Sequence, residues 1–385
     1  MNYPKFNCKK TVVIMKLSKE ELQRYSRQIL LPEVGLQGQE KIKEAKVLVI
    51  GAGGLGCPAL QYLAAAGTGT IGIVDFDLVD ETNLHRQILF NTNDIGKPKA
   101  LVAAQKLKMQ NHLVNCQVHQ EKLESSNALK IIKNYDIVID GSDNFPTKYL
   151  VNDACVMLNK PLVFGSIFKF EAQVGVFNYK NGPTYRCLYP NPPAPGDVPN
   201  CAEVGVLGVL PGIIGCLQAN ECIKIITGTG VPLSGKLMLF NALTLETQLL
   251  EVKPDKANYR ITELIDYQEF CKGKESRETS VNEITVHQLK EKLARGEDIQ
   301  IIDVREQYEY EICNIKGNLI PLGTLERQMD RISKDKPVVV LCHHGTRSAA
   351  AINFLKEKAG FTNLVNLKGG IHSWAMEIDT EMQMY

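Results

Sequence analysis

The sequence predicts two α/β units in series: a parallel sheet with helices on both faces, then a second, smaller α/β unit. Three observations carry this. Short β-rich runs alternate with helical segments across residues 46–140. A glycine cluster, Gly51-Ala52-Gly53-Gly54-Leu55-Gly56, stands between a strand and a helix. After a polar, charge-dense stretch at 253–281, the alternation of strand and helix restarts. A chain of 385 residues has room for two to three domains at about 150 residues each.

In chain order, residues 1–17 read as a weakly specified tail, with Met15 as an alternative start. Residues 18–45 are charged and helical, with Leu22, Tyr25, Ile29 and Leu30 at helical spacing. KVLVI (46–50) is a strand, 59–66 a helix, 71–74 a second strand, 99–109 a helix, and DIVID (136–140) another buried strand. The stretch 181–200 holds six prolines, at 183, 190, 192, 193, 195 and 199, which excludes regular helix or central strand. A loop this long inside a compact domain is usually functional. Residues 206–226 form a long apolar helix, expected in the core or at a subunit interface. The first domain therefore spans 18–252, the linker 253–281 and the second domain 282–385. In the latter, 286–295 is helical, 301–304 and 338–341 are strands, and 346–358 is helical.

Composition narrows the function. Hydrophobic residues at 44% and charged residues at 23% exclude wholesale disorder. Lys plus Arg is 44 against 43 for Asp plus Glu, a net charge of +1. Neither a nucleic-acid partner nor an anionic membrane surface is expected from that balance. No uninterrupted apolar run of eighteen residues marks a transmembrane helix, and the run at 12–15 is too short for a signal-peptide core. Eleven cysteines, an odd count without a disulfide framework, fit a reducing, cytoplasmic setting.

The glycine cluster offers a tight turn, close backbone approach to phosphate and a helix N-terminus. Asp75, at the end of the second strand, is placed to accept ribose hydroxyls. By themselves these features fit a dehydrogenase equally well. Thr82-Asn83-Leu84-His85-Arg86-Gln87, Gly96-Lys97-Pro98-Lys99 and Gly141-Ser142-Asp143-Asn144 then decide the chemistry. A hydride site has no need of Arg and Lys aimed at distal phosphates. An adenylating site does, because cations must neutralise the attacked phosphate and the departing pyrophosphate, and a carboxylate must hold Mg²⁺.

Residues 18–250 resemble the MoeB/ThiF family of ubiquitin-activating-type adenylyltransferases, which have a Rossmann-like nucleotide-binding fold. The resemblance is carried by RYSRQILL (24–31), GAGGLG (51–56), DFD (75–77), TNLHRQ (82–87), GKPK (96–99), SDN (142–144) and NCAEVGVLGVLPG (200–212). It implies that Gly54 approaches the triphosphate of ATP and that Asp75 holds the ribose. Asn83, Arg86 and Lys99 would contact phosphates, with Asp143 and Asn144 over the nucleotide and Asp143 on Mg²⁺. Gly51, Gly53, Asp77, Thr82, Leu84 and His85 would complete the pocket. Arg27 matches an arginine that reaches across a homodimer to the partner's ATP. The implied substrate is a ubiquitin-like sulfur carrier ending in Gly-Gly, and Cys201 matches a cysteine that resolves the sulfur-transfer intermediate. Many relatives bind structural Zn²⁺ with two Cys-x-x-Cys pairs. Here Thr184 and Cys187 stand at the first pair, and 254–262 reads PDKANYRIT, so no zinc site is expected.

In the second domain, strand 338–341 leads into Cys342-His343-His344-Gly345-Thr346-Arg347-Ser348 and a helix. A cysteine at a helix N-terminus is favoured as thiolate by the dipole and by free N–H groups, and Arg347 adds positive charge. The loop forms an anion cradle that suits a persulfide, and a cysteine phosphatase would use the same geometry. IIDVREQYEYE (301–311), NIKGNLIPL (314–322) and LKGGIHSW (367–374) resemble a rhodanese domain, with Asn314 where rhodaneses often have histidine. That resemblance makes Cys342 the carrier of the sulfane sulfur. Asp303 and Arg305 are expected to pin the fold. The fusion resembles MoeZ-type sulfur-carrier adenylyltransferase/sulfurtransferases. It implies a carrier thiocarboxylate for molybdopterin or thiamin biosynthesis, with a cysteine desulfurase as sulfur donor. The competing readings are an NAD-dependent dehydrogenase fused to a rhodanese and a non-catalytic scaffold for ubiquitin-like proteins.

Overall fold

The computed structural model describes residues 16–193, 205–272 and 281–384. These divide into two compact units, the first ending at Cys271 and the second beginning at Lys272. The first is built on an eight-stranded sheet in the order β3-β2-β1-β4-β5-β6-β7-β8. Its strands are β1 (Lys46–Ile50), β2 (Thr70–Val74), β3 (Asn115–His119), β4 (Ile137–Asp140), β5 (Leu162–Phe168), β6 (Glu171–Phe177), β7 (Lys236–Asn241) and β8 (Thr247–Glu251). β1 pairs in parallel with β2 on one side and β4 on the other. This is the reversal of strand order at which a crevice opens beyond the carboxyl ends.

The strands read from the sequence over 46–140 are parallel as expected, and the sheet continues beyond them in a way the sequence did not show. From β5 onward the pairings are antiparallel, through β6 and β7 to β8. β1 and β4, buried along almost their whole lengths, are near-continuous apolar runs, as strands covered on both faces must be. β8 is exposed along its length and shows no such signal.

The expected helical stretch 18–45 is also corrected. It breaks into Lys19–Arg24, Ser26–Ile29 and Gly35–Glu44. Pro32 lies in the break and Gly35 takes φ +55°, a backbone geometry outside the right-handed helix. Leu30 and Leu31 consequently stand exposed, while Tyr25 is buried. The apolar helix runs Val209–Thr227. It is long and apolar enough to cross a membrane by length and composition. Here it packs on the Gly56–Ala66 helix, β5 and β6, with Leu210, Ile214, Ala219 and Cys222 buried.

Within the proline-rich stretch a one-turn helix, Tyr185–Leu188, fits between Pro183 and Pro190, which corrects the expectation of no helix there. Much of the expected linker belongs to the first unit. Lys256–Tyr259 is a 3-10 turn, and in the Tyr267–Lys272 helix Tyr267 is buried, its hydroxyl donating to Asp153 Oδ2 (2.7 Å).

The second unit has a five-stranded parallel sheet in the order β11-β10-β12-β13-β9. Its strands are β9 (Glu283–Ile284), β10 (Gln300–Asp303), β11 (Asn318–Leu319), β12 (Val338–Leu341) and β13 (Leu364–Leu367). Central β12 is fully buried, and the Thr346–Ala359 helix packs on it and on β13.

Candidate functional site

In the first unit the loop Gly51–Gly56 leaves β1 at the crevice. The Gly51 N–H donates to Val74 O (2.8 Å) and the Gly141 N–H to Ile50 O (2.8 Å), which lines up the ends of β1, β2 and β4. Gly51 takes φ +90°, and a Cβ on Gly56 would overlap the Gly51 carbonyl oxygen, so the Gly56–Ala66 helix can start this close to the strand only with glycine. A Cβ on Gly54 would touch Pro211 and come within 3.7 Å of Arg86 Cγ, so the Arg86 stem lies against the loop. Gly53 faces Gln87.

Asp75 is buried. Its Oδ2 accepts the Ala52 N–H (2.7 Å) and its Oδ1 the Asp77 N–H (2.9 Å). Burial pushes its pKa up, against the pull of those two bonds. Each oxygen keeps a lone pair for a hydroxyl donor. Lys99 is buried, and its Nζ lies 3.2 Å from Asp77 Oδ2. Asp80 caps the turn that follows, accepting the Thr82 N–H (2.8 Å) and hydroxyl (2.5 Å), while Asn83 Oδ1 accepts the Asp80 N–H (3.4 Å). Those hydrogen bonds from Thr82 lower the Asp80 pKa.

Arg86 Nη1 donates to Thr82 O (2.8 Å) and lies 3.4 Å from His85 Nε2. Leu84 packs on the apolar core, so its side chain is a packing group. Gln87 closes the 82–87 cluster, but the sequence assigns it no role of its own. It is buried beside the loop with Oε1 lacking a hydrogen-bond partner.

Asp143 and Asn144 are exposed on the loop after β4. Asn144 Oδ1 caps the Phe145–Met157 helix by accepting the Thr147 N–H (3.0 Å), and its Nδ2 faces Asp143 Oδ1 (3.4 Å). Beneath them lies Lys148, which sequence reasoning missed. Its buried ammonium donates to Asp140 Oδ2 (3.1 Å), Ser142 O (2.8 Å) and Gly165 O (3.1 Å). Asp140 Oδ1 accepts the Ser142 N–H (2.9 Å) and hydroxyl (2.6 Å). A lone lysine inside the apolar helix sequence FPTKYLVNDACVM was the available signal.

Arg27 is exposed and is not brought to its own chain's loop. Tyr25, two residues earlier, packs against Gly67, at the end of the Gly56–Ala66 helix away from the loop. Cys201 lies outside the described residues. Cys57, although it opens that helix, is fully buried, and burial pushes its thiol up to about 12.

At the positions of the relatives' zinc site, Cys187 is the one thiol. Its Sγ lies 3.3 Å from Thr184 Oγ1, accepts the Asp255 N–H (3.3 Å) and is 3.7 Å from Asn258 Nδ2. One sulfur held by neutral hydrogen-bonding groups does not fit structural Zn²⁺, which takes four strong ligands.

In the second unit Cys342 follows β12 and is buried. Its sulfur accepts the Gly345 N–H (3.1 Å), and Ser348 Oγ lies 3.4 Å away. The Thr346–Ala359 helix begins four positions on, with Gly345 at its N-cap, so its positive dipole end lies at the loop. The expected role of Arg347 is corrected. Its Nη1 and Nη2 donate to the two oxygens of buried Glu309 (2.7 Å each), so much of its charge is matched there. Asp303 and Arg305 pin the fold. Fully buried Arg305 donates through Nη2 to Asp303 Oδ2 (2.6 Å) and to Cys313 O (2.8 Å). Asn314 Oδ1 accepts the Lys316 N–H (3.0 Å) at a turn where Lys316 takes φ +59°.

His343 is buried, and burial with two imidazole neighbours lowers its pKa to about 4. A cavity of about 660 Å³ beside the loop is lined by His344, Gly345, Thr346, Asn366, Lys368 and Glu283, among others.

Comparison with known proteins matches both units to families. The ThiF family matches residues 25–261 and the rhodanese-like domain residues 285–377. The chain is 44% identical over 380 residues to a probable adenylyltransferase/sulfurtransferase MoeZ of Mycobacterium tuberculosis, covering 96% of each. It is 52% identical over 270 residues to a sulfur carrier protein adenylyltransferase of Thermus thermophilus, covering 67% of this chain and 99% of that one. Among solved structures, E. coli MccB with ATP shares the fold at TM-score 0.55 and 22% identity, covering 63% of this chain and 73% of that one.

Proposed function

This chain belongs to the ThiF family and carries a rhodanese-like domain behind it, and from that premise we propose that it activates a ubiquitin-like sulfur carrier with ATP and then loads it with sulfur. The observation that carries the reading is that one chain holds two different anion cradles. One is an open glycine loop flanked by Asp75, Arg86 and Lys99, and the other is a buried cysteine at a helix N-terminus. A dehydrogenase needs only the loop and Asp75, and a scaffold needs neither cradle.

Asp75, its oxygens oriented by two backbone N–H groups, takes ribose hydroxyls. The Gly53–Gly54 backbone and the helix N-terminus behind it face the phosphates. Arg86 and Lys99 neutralise the phosphate under attack and the departing pyrophosphate. Asp143, exposed and without an ion pair among the described residues, fits Mg²⁺, which takes carboxylate oxygen together with substrate phosphate. When bound, Mg²⁺ supplies charge neutralisation at the phosphates. The terminal glycine carboxylate of the carrier attacks the α-phosphorus and expels pyrophosphate, leaving an acyl-adenylate.

A persulfide anion on Cys342, held by the Gly345 N–H and the helix N-terminus, attacks the acyl carbon, and AMP leaves with the bonding electrons. A thiolate, assigned to Cys201, attacks the Cys342 sulfur of the acyl disulfide. The carrier departs as a thiocarboxylate, and a Cys201–Cys342 disulfide remains for a dithiol to reduce. The thiocarboxylate serves molybdopterin or thiamin assembly, and a cysteine desulfurase supplies the persulfide.

Arg27, exposed and away from its own loop, acts on the ATP of a partner in a homodimer. Nine free cysteines among the described residues suit a reducing cytoplasm. No zinc is required, because Thr184, Asp255 and Asn258 occupy the positions around Cys187. Metal analysis giving one zinc per chain that is lost in Cys187→Ser would overturn that part.

The primary test is ATP–pyrophosphate exchange with Mg²⁺ and a panel of small carriers, each with and without its terminal Gly-Gly. Exchange that depends on the glycines is expected. Folded, ATP-binding protein that exchanges with none of them would sink the reading, and NADH binding in place of ATP would restore the dehydrogenase.

A further inference from the structure

Three imidazoles meet beside the sulfur loop: His343 and His344 within it, and His372 in the Gly370–Glu377 helix. Each offers one ring nitrogen, and the three nitrogens all lie within 4.8 Å of one another. Ring centroids are 4.2 Å apart for His343 and His344, 4.7 Å for His344 and His372, and 5.8 Å for His343 and His372. The grouping is fixed by backbone. The Ile371 N–H donates to Cys342 O (2.9 Å) and the His372 N–H to His343 O (3.0 Å), so the helix start is tied to the loop.

Around a tetrahedral ion with Zn–N bonds of about 2.1 Å, ligand nitrogens stand roughly 3.4 Å apart. The observed separations exceed that spacing by at most about 1.4 Å. The burial gradient also suits a site entered from solvent: His343 is buried, His372 half-buried and His344 exposed.

We propose that His343, His344 and His372 form a site for a borderline divalent transition metal such as Zn²⁺, at the mouth of the sulfur loop. Three imidazole ligands without a carboxylate in the set select Zn²⁺, Co²⁺ or Ni²⁺ over Mg²⁺ or Ca²⁺. Three protein ligands leave a fourth position for water or an incoming sulfur ligand. The group of ligand atoms that lie together comprises the three imidazoles and not the Cys342 thiol. The ion would tie the loop to the helix, joining the two segments that frame the sulfur.

The test is Co²⁺ titration of the full-length chain, followed by visible absorption, in wild type and in His372→Asn. Half-buried His372 is replaced by a smaller polar residue, and circular dichroism checks folding. We expect one Co²⁺ per chain, with d–d bands that lack sulfur-to-cobalt charge transfer, and at least about tenfold weaker binding in His372→Asn. His344→Asn, at the exposed ligand, should give the same loss. Three results would each overturn the site: absence of this binding, sulfur-to-cobalt charge transfer, or unchanged affinity in both folded variants.

Discussion

Lys148→Met tests how the adenylating loop is held. The methionine keeps the length of the side chain and removes the ammonium that bonds to Asp140, Ser142 and Gly165. Lys148 and Asp140 side chains are 6% and 2% exposed, so the carboxylate left behind is buried without its partner. Breaking a buried pair in this way costs about 3–5 kcal/mol. At roughly 2–4 °C per kcal/mol for a domain of this size, melting of the first unit should fall by on the order of 10 °C. Because Lys148 also fixes the carbonyl before Asp143, ATP–pyrophosphate exchange should fall by about tenfold or more at a temperature where the variant is folded. Asp140→Asn in the same background removes the stranded charge. The double variant should therefore be more stable than the sum of the singles predicts, by at least about 1 kcal/mol. Calorimetry of the four proteins reads this directly. A Lys148→Met loss under about 1 kcal/mol with normal exchange, or strict additivity in the cycle, would refute the argument.

Other outcomes follow from the same geometry. Gly56→Ala forces a Cβ into the Gly51 carbonyl, so ATP binding should drop by at least about tenfold while cyanide-dependent rhodanese turnover persists. Cys342→Ser should abolish rhodanese turnover and leave pyrophosphate exchange, whereas Asp143→Ala should abolish pyrophosphate exchange and leave cyanide-dependent rhodanese turnover. Loss of both activities in either variant would contradict the division of labour. His343 has a native pKa of about 4 against 6.5 for the free side chain, so acid favours the unfolded chain. Its contribution to the stability of the second unit should be constant above pH 6.5 and decline as pH falls toward 4. Urea midpoints across that range should show a decline that His343→Asn flattens.

Much of this protein is legible in the sequence because local chemistry and function coincide. KVLVI followed by six residues with four glycines specifies a strand, a turn and a helix start, and the same atoms are the ones proposed to face phosphate. Cys342 between an apolar strand and a helix is a comparable case. Weaker signals failed where position in the sheet decides the pattern. Exposed β8 carries little periodic burial, so the antiparallel half of the sheet escaped the sequence reading. Leu30 fits a helical face by spacing, yet the break at Pro32 and Gly35 leaves it exposed to solvent.

By itself the sequence determined the two α/β units, the glycine turn between strand and helix and the cysteine loop between strand and helix, because each rests on a contiguous motif whose backbone geometry is local. Only the tertiary structure decided what the charged and polar groups do. Lys148 is pinned under the Asp143 loop by groups from β4 and β5. Arg347 is neutralised by a glutamate 38 positions away. Cys187 meets Asp255 and Asn258 where relatives would place a metal. His372 reaches the loop through a helix start bonded to Cys342 and His343. A charge takes its energy from whatever stands within a few ångströms of it, and that neighbourhood exists only once distant segments have packed together.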